Sequence, residues 1–194
     1  MKIIKTEIEG LLILEPKVFG DERGYFLETF SEARYLDAGI QGPFVQDNLS
    51  FSRRGVLRGL HFQNPNSQGK LVSCPQGEVF DVAVDIRVGS PTFGLWVGVH
   101  LSSDNKKQFW VPAGLAHGFM VTSEVALFSY KCTDYYAPNS EHSVLWNDPD
   151  IGIQWPDFEK QLSQKDNKAK KLCDIDKAIL PKYQSTPQTK PQRS

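Results

Sequence analysis

Cysteine is scarce in this chain: Cys74, Cys132 and Cys173 are the only three, and none forms a CxxC pair. An odd number at such spacings argues against a disulfide framework or a thiolate metal cluster, and makes a reducing cytoplasm the expected home. Charge of one sign is lacking too. The 22 Lys+Arg residues against 23 Asp+Glu leave a formal net charge of −1, so no field gathers nucleic acid or an anionic membrane, and neither partner is expected. Long apolar runs are missing near the N-terminus: Leu11-Leu12-Ile13-Leu14 stops at once, too short for a signal core or a membrane span. No GxGxxG loop follows a strand, which removes the usual cradle for a dinucleotide. What remains is 40% apolar and 23% charged over 194 residues, ordinary composition for one soluble all-β domain with some decoration.

The chain reads as mainly β. Strands are expected over 2–8 and 11–18, and an extended aromatic segment over 25–30 after the turn at Gly20-Asp21 and Gly24. Ser31 caps a short helix to about Ala38, which Gly39 ends. From Lys70 the turn signals become regular, and between them lie β-rich runs at 70–74, 78–87, 95–101, 107–111, 117–122, 125–132 and 143–146. Short strands at this spacing predict an antiparallel sandwich or barrel. After Trp155 the chain is charged, with short helical pieces. Residues 1–180 are expected to form a single domain, and 181–194, rich in Pro, Gln, Lys and Ser, a disordered tail.

The stretch Gly55-Val56-Leu57-Arg58-Gly59-Leu60-His61-Phe62-Gln63 carries an Arg and a His that packing alone would not ask for. A cation and a potential base, three residues apart, suggest an anionic ligand beside proton chemistry. Strand alternation sends Arg58 and His61 to opposite faces, so they serve one site only if the strand is bulged, and Gly59 is where a bulge fits. In the 125–132 run, Tyr130 shares the apolar face of Ala126, Phe128 and Cys132, either as a core tyrosine or as a proton donor. Asp81 and Asp85 alternate with Phe80, Val82, Val84 and Ile86, which predicts outward carboxylates, with a supporting role open to Asp81. Pro112-Ala113-Gly114-Leu115-Ala116-His117 resembles the second cupin motif. Where the first motif would supply His-x-His, the chain has His61-Phe62-Gln63. One imidazole is missing and the Lys70 cation lies just downstream, so no metal is expected.

Seven blocks, in order and with matching spacing, resemble the dTDP-4-dehydrorhamnose 3,5-epimerase family over roughly 1–180: Gly20-Asp21-Glu22-Arg23-Gly24, Gln46-Asp47-Asn48, Leu57 to Gln63, Gly77 to Val82, Ser90 to Gly94, Gly114 to Phe119, and Leu162 to Asp166. The resemblance implies a cupin-like β jelly roll with a few short helices, working as a cytoplasmic homodimer without metal or other cofactor. It implies epimerisation at C3 and C5 of dTDP-4-dehydro-6-deoxy-D-glucose, on the way to dTDP-rhamnose. By the same resemblance His61 is the base, Tyr130 the acid on the opposite side, Lys70 the group near the C4 oxygen, and Asp166 the carboxylate paired with the catalytic His, a place for which Asp81 also competes. Arg23, Glu28, Gln46, Asp47, Asn48, Arg58, His117, Glu141 and Lys165 match positions that contact the nucleotide sugar, with His117 equally readable as an inherited core histidine. Tyr136 matches the tyrosine that stacks on thymine. Exchange of N-terminal strands would put Arg23 and Glu28 in the neighbouring subunit's site. Rivals on the same fold are an epimerase of one centre or keto-isomerase, a metal-dependent cupin oxygenase, and a sugar-binding module without activity.

Overall fold

A computed structural model describes residues 1–184. In chain order the strands are β1 (Lys2–Lys5), β2 (Leu12–Glu15), β3 (Val18–Asp21), β4 (Gly24–Leu27), β5 (Gln46–Arg53), β6 (Leu57–Gln63), β7 (Lys70–Gln76), β8 (Glu78–Asp85), β9 (Trp96–Ser102), β10 (Gln108–Val111), β11 (Leu115–Val121), β12 (Val125–Cys132) and β13 (Glu141–Ser143). The helices are α1 (Glu32–Asp37) and α2 (Gln164–Asn167). Two antiparallel sheets face each other as a jelly roll. One runs β1-β2-β10-β7-β12-β5 and the other β13-β6-β11-β8-β9, while β3 and β4 form a separate hairpin. No helix among the described residues is long and apolar enough to cross a membrane.

Each sheet is covered over part of its outer face, which explains why several strands do not alternate cleanly. In β2, Ile13 packs with Leu11 into the core between the sheets, whereas Leu12 and Leu14 pack outward beneath Tyr35 of α1, Ile40 and Trp110. The short run at 11–14 is apolar throughout because it is buried from two sides. The same holds for β8. Val79 and Ala83 enter the inner core, while Val82 and Val84 with Ile86 lie under Ile151, Leu172, Ile175 and Leu180 from the C-terminal segment.

This corrects the expectation of outward carboxylates, since Asp81 and Asp85 are both fully buried. Asp85 accepts hydrogen bonds from the Arg87 guanidinium and the Ser90 and Thr92 hydroxyls. Burial would raise its pKa, but those donors hold the carboxyl below its ordinary value. At the other end of the described chain, Val88 N–H donates to the Pro181 carbonyl at 2.8 Å, and Tyr183 N–H donates to the Val88 carbonyl at 3.0 Å. The packed chain thus runs past the expected boundary at 180, through at least Tyr183. The rest of the expected tail lies outside the described residues.

The bulge expected in β6 is present. Against β11, His117 pairs with His61 and Phe119 with Arg58, so β6 uses three steps where β11 uses two. The extra residue brings Arg58 and His61 to one face. Gly59 and Gly118 let the two backbones approach this closely. A Cβ on Gly59, which has φ of +127°, would lie 2.6 Å from Gly118 Cα and 2.8 Å from the His117 carbonyl oxygen. Neither atom can swing away. Gly59→Ala should therefore destabilise the protein by about 2–3 kcal/mol, the scale of a residue forced into a disallowed backbone conformation. Urea unfolding at neutral pH checks this, and wild-type stability would exclude the close approach.

Candidate active site

Strand register builds one wall of a cleft. Across β5, β12 and β7, Asn48 pairs with Tyr130, Gln46 with Cys132, Tyr130 with Val72, and Cys132 with Lys70. Alternation then places Gln46, Asn48, Ser50, Tyr130 and Lys70 on one face. The facing wall comes from the other sheet, where Arg58 and His61 of β6 stand beside His117 and Phe119 of β11. The cleft has two lobes. One, of about 290 Å³, is lined by Arg58, His117, Lys165 and Asp166 among others, and the second, of about 220 Å³, by Gln46, Asn48, Tyr136 and Glu141. His61, Lys70 and Tyr130 line both lobes and so stand at their junction.

Each imidazole in the cleft has its own carboxylate. His61 Nε2 lies 2.6 Å from Asp166 Oδ1, and His117 Nε2 lies 2.8 Å from Asp81 Oδ1. His61 thus pairs with Asp166, and Asp81 with His117. Asp166 sits on α2, whose cap Ser163 accepts the Asp166 N–H at 3.1 Å. Burial would push the Asp166 carboxyl up. The hydrogen bond and charge of His61, with further bonds to Ser163 and the Gly59 amide, outweigh burial and hold it below its ordinary value. An ionised Asp166 accepts the Nε2 proton, which leaves the lone pair of a neutral ring on Nδ1.

Burial dominates at Tyr130, Lys70 and Asp81. It pushes the Tyr130 phenol up, keeping it protonated as a donor. It pushes the Lys70 ammonium down, against the opposing pull of Asp81 and Glu141. It pushes Asp81 up, against the attraction of His117 and Lys70. Burial would also raise Glu141, but hydrogen bonds from Lys165, at 2.5 Å, and from the Tyr136 hydroxyl, at 2.9 Å, keep it lowered. His117 is both buried and at the cleft wall, its ring stacked over Phe128 at 6.2 Å between centroids. Among the described residues no group of three or more His, Cys, Asp and Glu side chains could hold a metal ion.

Three of the expected residues are not gathered here. Asp47 lies on the opposite face of β5 from Gln46 and Asn48, ion-paired with Lys131 at 2.9 Å. Arg23 is paired with Asp21, and Glu28 with Arg34, on and just beyond the β3–β4 hairpin. Glu28 borders a separate hollow of about 390 Å³ with Phe19 and Phe26. Conversely, Gln63, Gln68, Ser50 and Ser163 line the cleft without having been singled out in the sequence. Alternation with Asn48 and Tyr130 could have found Ser50. Gln63 and Ser163 stood inside recognised blocks with no chemistry of their own to mark them.

A carboxylate-backed imidazole and a phenol on opposing walls of a jelly roll, with an ammonium beside them, define an enzyme that moves protons: an isomerase of cupin-like fold. Residues 5–174 match the family model described as dTDP-4-dehydrorhamnose 3,5-epimerase, and the chain belongs to that family. It is 58% identical to the dTDP-4-dehydrorhamnose 3,5-epimerase of Salmonella typhimurium, over 93% of this chain and 98% of that one. Among solved structures it is similar to a dTDP-6-deoxy-D-glucose-3,5-epimerase from Legionella pneumophila in complex with dTDP-4-keto-L-rhamnose. That match has a TM-score of 0.92 and 60% identity, covering 95% of this chain and 99% of that one. A 3'-monoepimerase from Streptomyces bikiniensis, in complex with dTDP-quinovose, is similar at TM-score 0.87 and 39% identity, covering 92% of each chain.

Lys70 yields a paired prediction. Lys70→Met removes a buried ammonium, so the melting temperature should rise by about 2–4 °C at neutral pH. If Lys70 donates to an oxyanion, as proposed below, the same change should lower kcat by about 10²–10³-fold. Because the folded-state pKa of Lys70 is lowered, its charge opposes folding fully below that pKa. The cost fades as pH rises toward the unfolded value. The stability gain of the variant should therefore shrink at alkaline pH. Thermal melts across a pH series, with steady-state rates, check both halves.

Proposed function

We propose that this enzyme epimerises dTDP-4-dehydro-6-deoxy-D-glucose at C3 and C5, giving dTDP-4-dehydro-L-rhamnose in the cytoplasm. The observation that carries the reading is the junction of His61 and Tyr130, from opposing sheets, with Lys70 beside them. Neutral His61, oriented by Asp166, takes the proton from the carbon next to the C4 ketone. The C–H electron pair moves into the ring and the carbonyl pair onto O4, giving an enolate. Lys70 donates to that oxygen, where a preorganised donor is typically worth about 2.7–4 kcal/mol. Tyr130 then gives its proton to the opposite face of the carbon, which inverts the centre. Imidazolium and phenolate return to their starting states by exchange with water. Protons balance, and no electron leaves the sugar.

The rest of the cleft suits a nucleotide sugar. The Arg58 guanidinium, Lys165 and His117 offer donors for a diphosphate, Gln46, Asn48 and Glu141 offer polar contacts, and Tyr136 offers a ring to thymine. Asp47, directed away with Lys131, has no side-chain role in this scheme. The two acid–base groups predict solvent deuterium at both C3 and C5 of the product. His61→Ala and Asp166→Asn should each lower turnover by about 10²–10⁴-fold, the range of a lost general acid or base. Label at one carbon alone would instead mark a single-centre epimerase, a reading kept in view by the similar 3'-monoepimerase.

The working unit in this reading is a homodimer with exchanged N-terminal strands. Phe19, Tyr25 and Phe26 on the β3–β4 hairpin are exposed, as are Leu49 and Phe51 on the edge strand β5. Apolar surface of that extent favours a second copy. Arg23 and Glu28 would then complete the neighbour's cleft. Co-refolding Arg23→Ala subunits with His61→Ala subunits should restore activity that neither variant has alone, because one site of the mixed dimer is intact. Activity no higher than the sum of the two would rule the exchange out.

A further inference from the structure

Gln63 stands where a metal-binding cupin carries its second histidine, and it is buried at 6% exposure. Its amide makes two bonds to the loop 134–137 and a third to Asn66 on another loop. Gln63 Oε1 accepts the Ala137 N–H at 3.0 Å, while Nε2 donates to the Tyr135 carbonyl at 3.2 Å and to the Asn66 carbonyl at 2.7 Å. Two further glutamines that line the same lobe hold the same loop. Gln46 Oε1 accepts the Tyr136 N–H at 2.9 Å, and Gln68 Nε2 donates to the Asp134 carbonyl at 2.8 Å. The segment 134–137 therefore has a backbone bond to a cleft glutamine at each of its four residues. It carries the half-exposed Tyr136 ring, whose hydroxyl is in turn held by Glu141.

We propose that Gln63 and Gln68 are positioning residues that fix the Tyr136 ring for the nucleobase, so that nucleotide specificity rests on side chains that need not touch the base. The proposal rests on the assignment of Tyr136 to thymine made above. The physical ground is the cost of ordering a loop. A ring that must be immobilised on binding loses affinity to the lost freedom, and a ring already held does not. An uncharged amide suits the task, since it supplies donor and acceptor together without placing another charge beside Lys70 and Glu141.

The test is binding of dTDP and of inorganic pyrophosphate to the full-length enzyme by calorimetry. Gln63→Met, and separately Gln68→Met, should weaken dTDP about tenfold, the scale of one lost base–aromatic stack, and leave pyrophosphate within about twofold. Gln63→Met in a Tyr136→Ala background should add little further loss. If Tyr136→Ala weakens dTDP while neither glutamine variant does, the positioning role is refuted and the thymine assignment stands. If pyrophosphate weakens in step with dTDP, the glutamines serve the fold in general and the proposal fails. If Tyr136→Ala leaves dTDP unchanged, the thymine assignment falls and the proposal falls with it. The Gln68 variant, at a less buried site, keeps the test open should Gln63→Met fold poorly.

Discussion

A β-strand alternates its side chains with a period of two, so residues three apart belong on opposite faces. The cleft depends on breaking that rule once. One additional residue in β6, opposite Gly118, puts Arg58 and His61 on the same wall. The bulge also releases the Gly59 amide from regular pairing, and that amide helps hold Asp166, which holds His61. Backbone geometry, imidazole and counter-charge are thus one connected arrangement. It can form only where two glycines let β6 and β11 approach within a distance that any Cβ would prevent.

The second constraint is electrostatic. Polar groups within a jelly-roll core are costly unless each has a partner, and the cleft assigns them in pairs: His61 with Asp166, His117 with Asp81, Lys165 with Glu141. Lys70, by contrast, has no ion pair within salt-bridge distance among the described residues. Burying it lowers its pKa, and the proposed mechanism uses that ammonium for the developing oxyanion. In the proposed mechanism, stability is given up at the residue that would stabilise the developing charge.

Much of this was legible in the chain. The punctuation from Lys70 onward marks strands whose observed bounds differ by a few residues, as with the run at 143–146, observed as β13 over 141–143. The inward direction of Tyr130 followed from its neighbours Ala126, Phe128 and Cys132, and the position of the bulge from Gly59. Asp81 and Asp85 were misjudged because alternation reports two faces but not which of them is dry. In β8 both are, since the C-terminal segment covers the outer one. Asp47 was carried along with Gln46 and Asn48 by a shared motif, although alternation within β5 separates it from them.

By itself, then, the sequence determined the periodicities, the glycines that permit the bulge, the missing second imidazole of the cupin motif and the residue types of an acid–base site. These are local properties, set by neighbours along the chain. Tertiary structure alone decided which carboxylate serves which imidazole, that His61 and Tyr130 face each other from different sheets, and what Gln63 holds. Those relations join residues far apart in the chain, such as His61 with Asp166, and strand pairing and packing fix them at distances that no local pattern encodes.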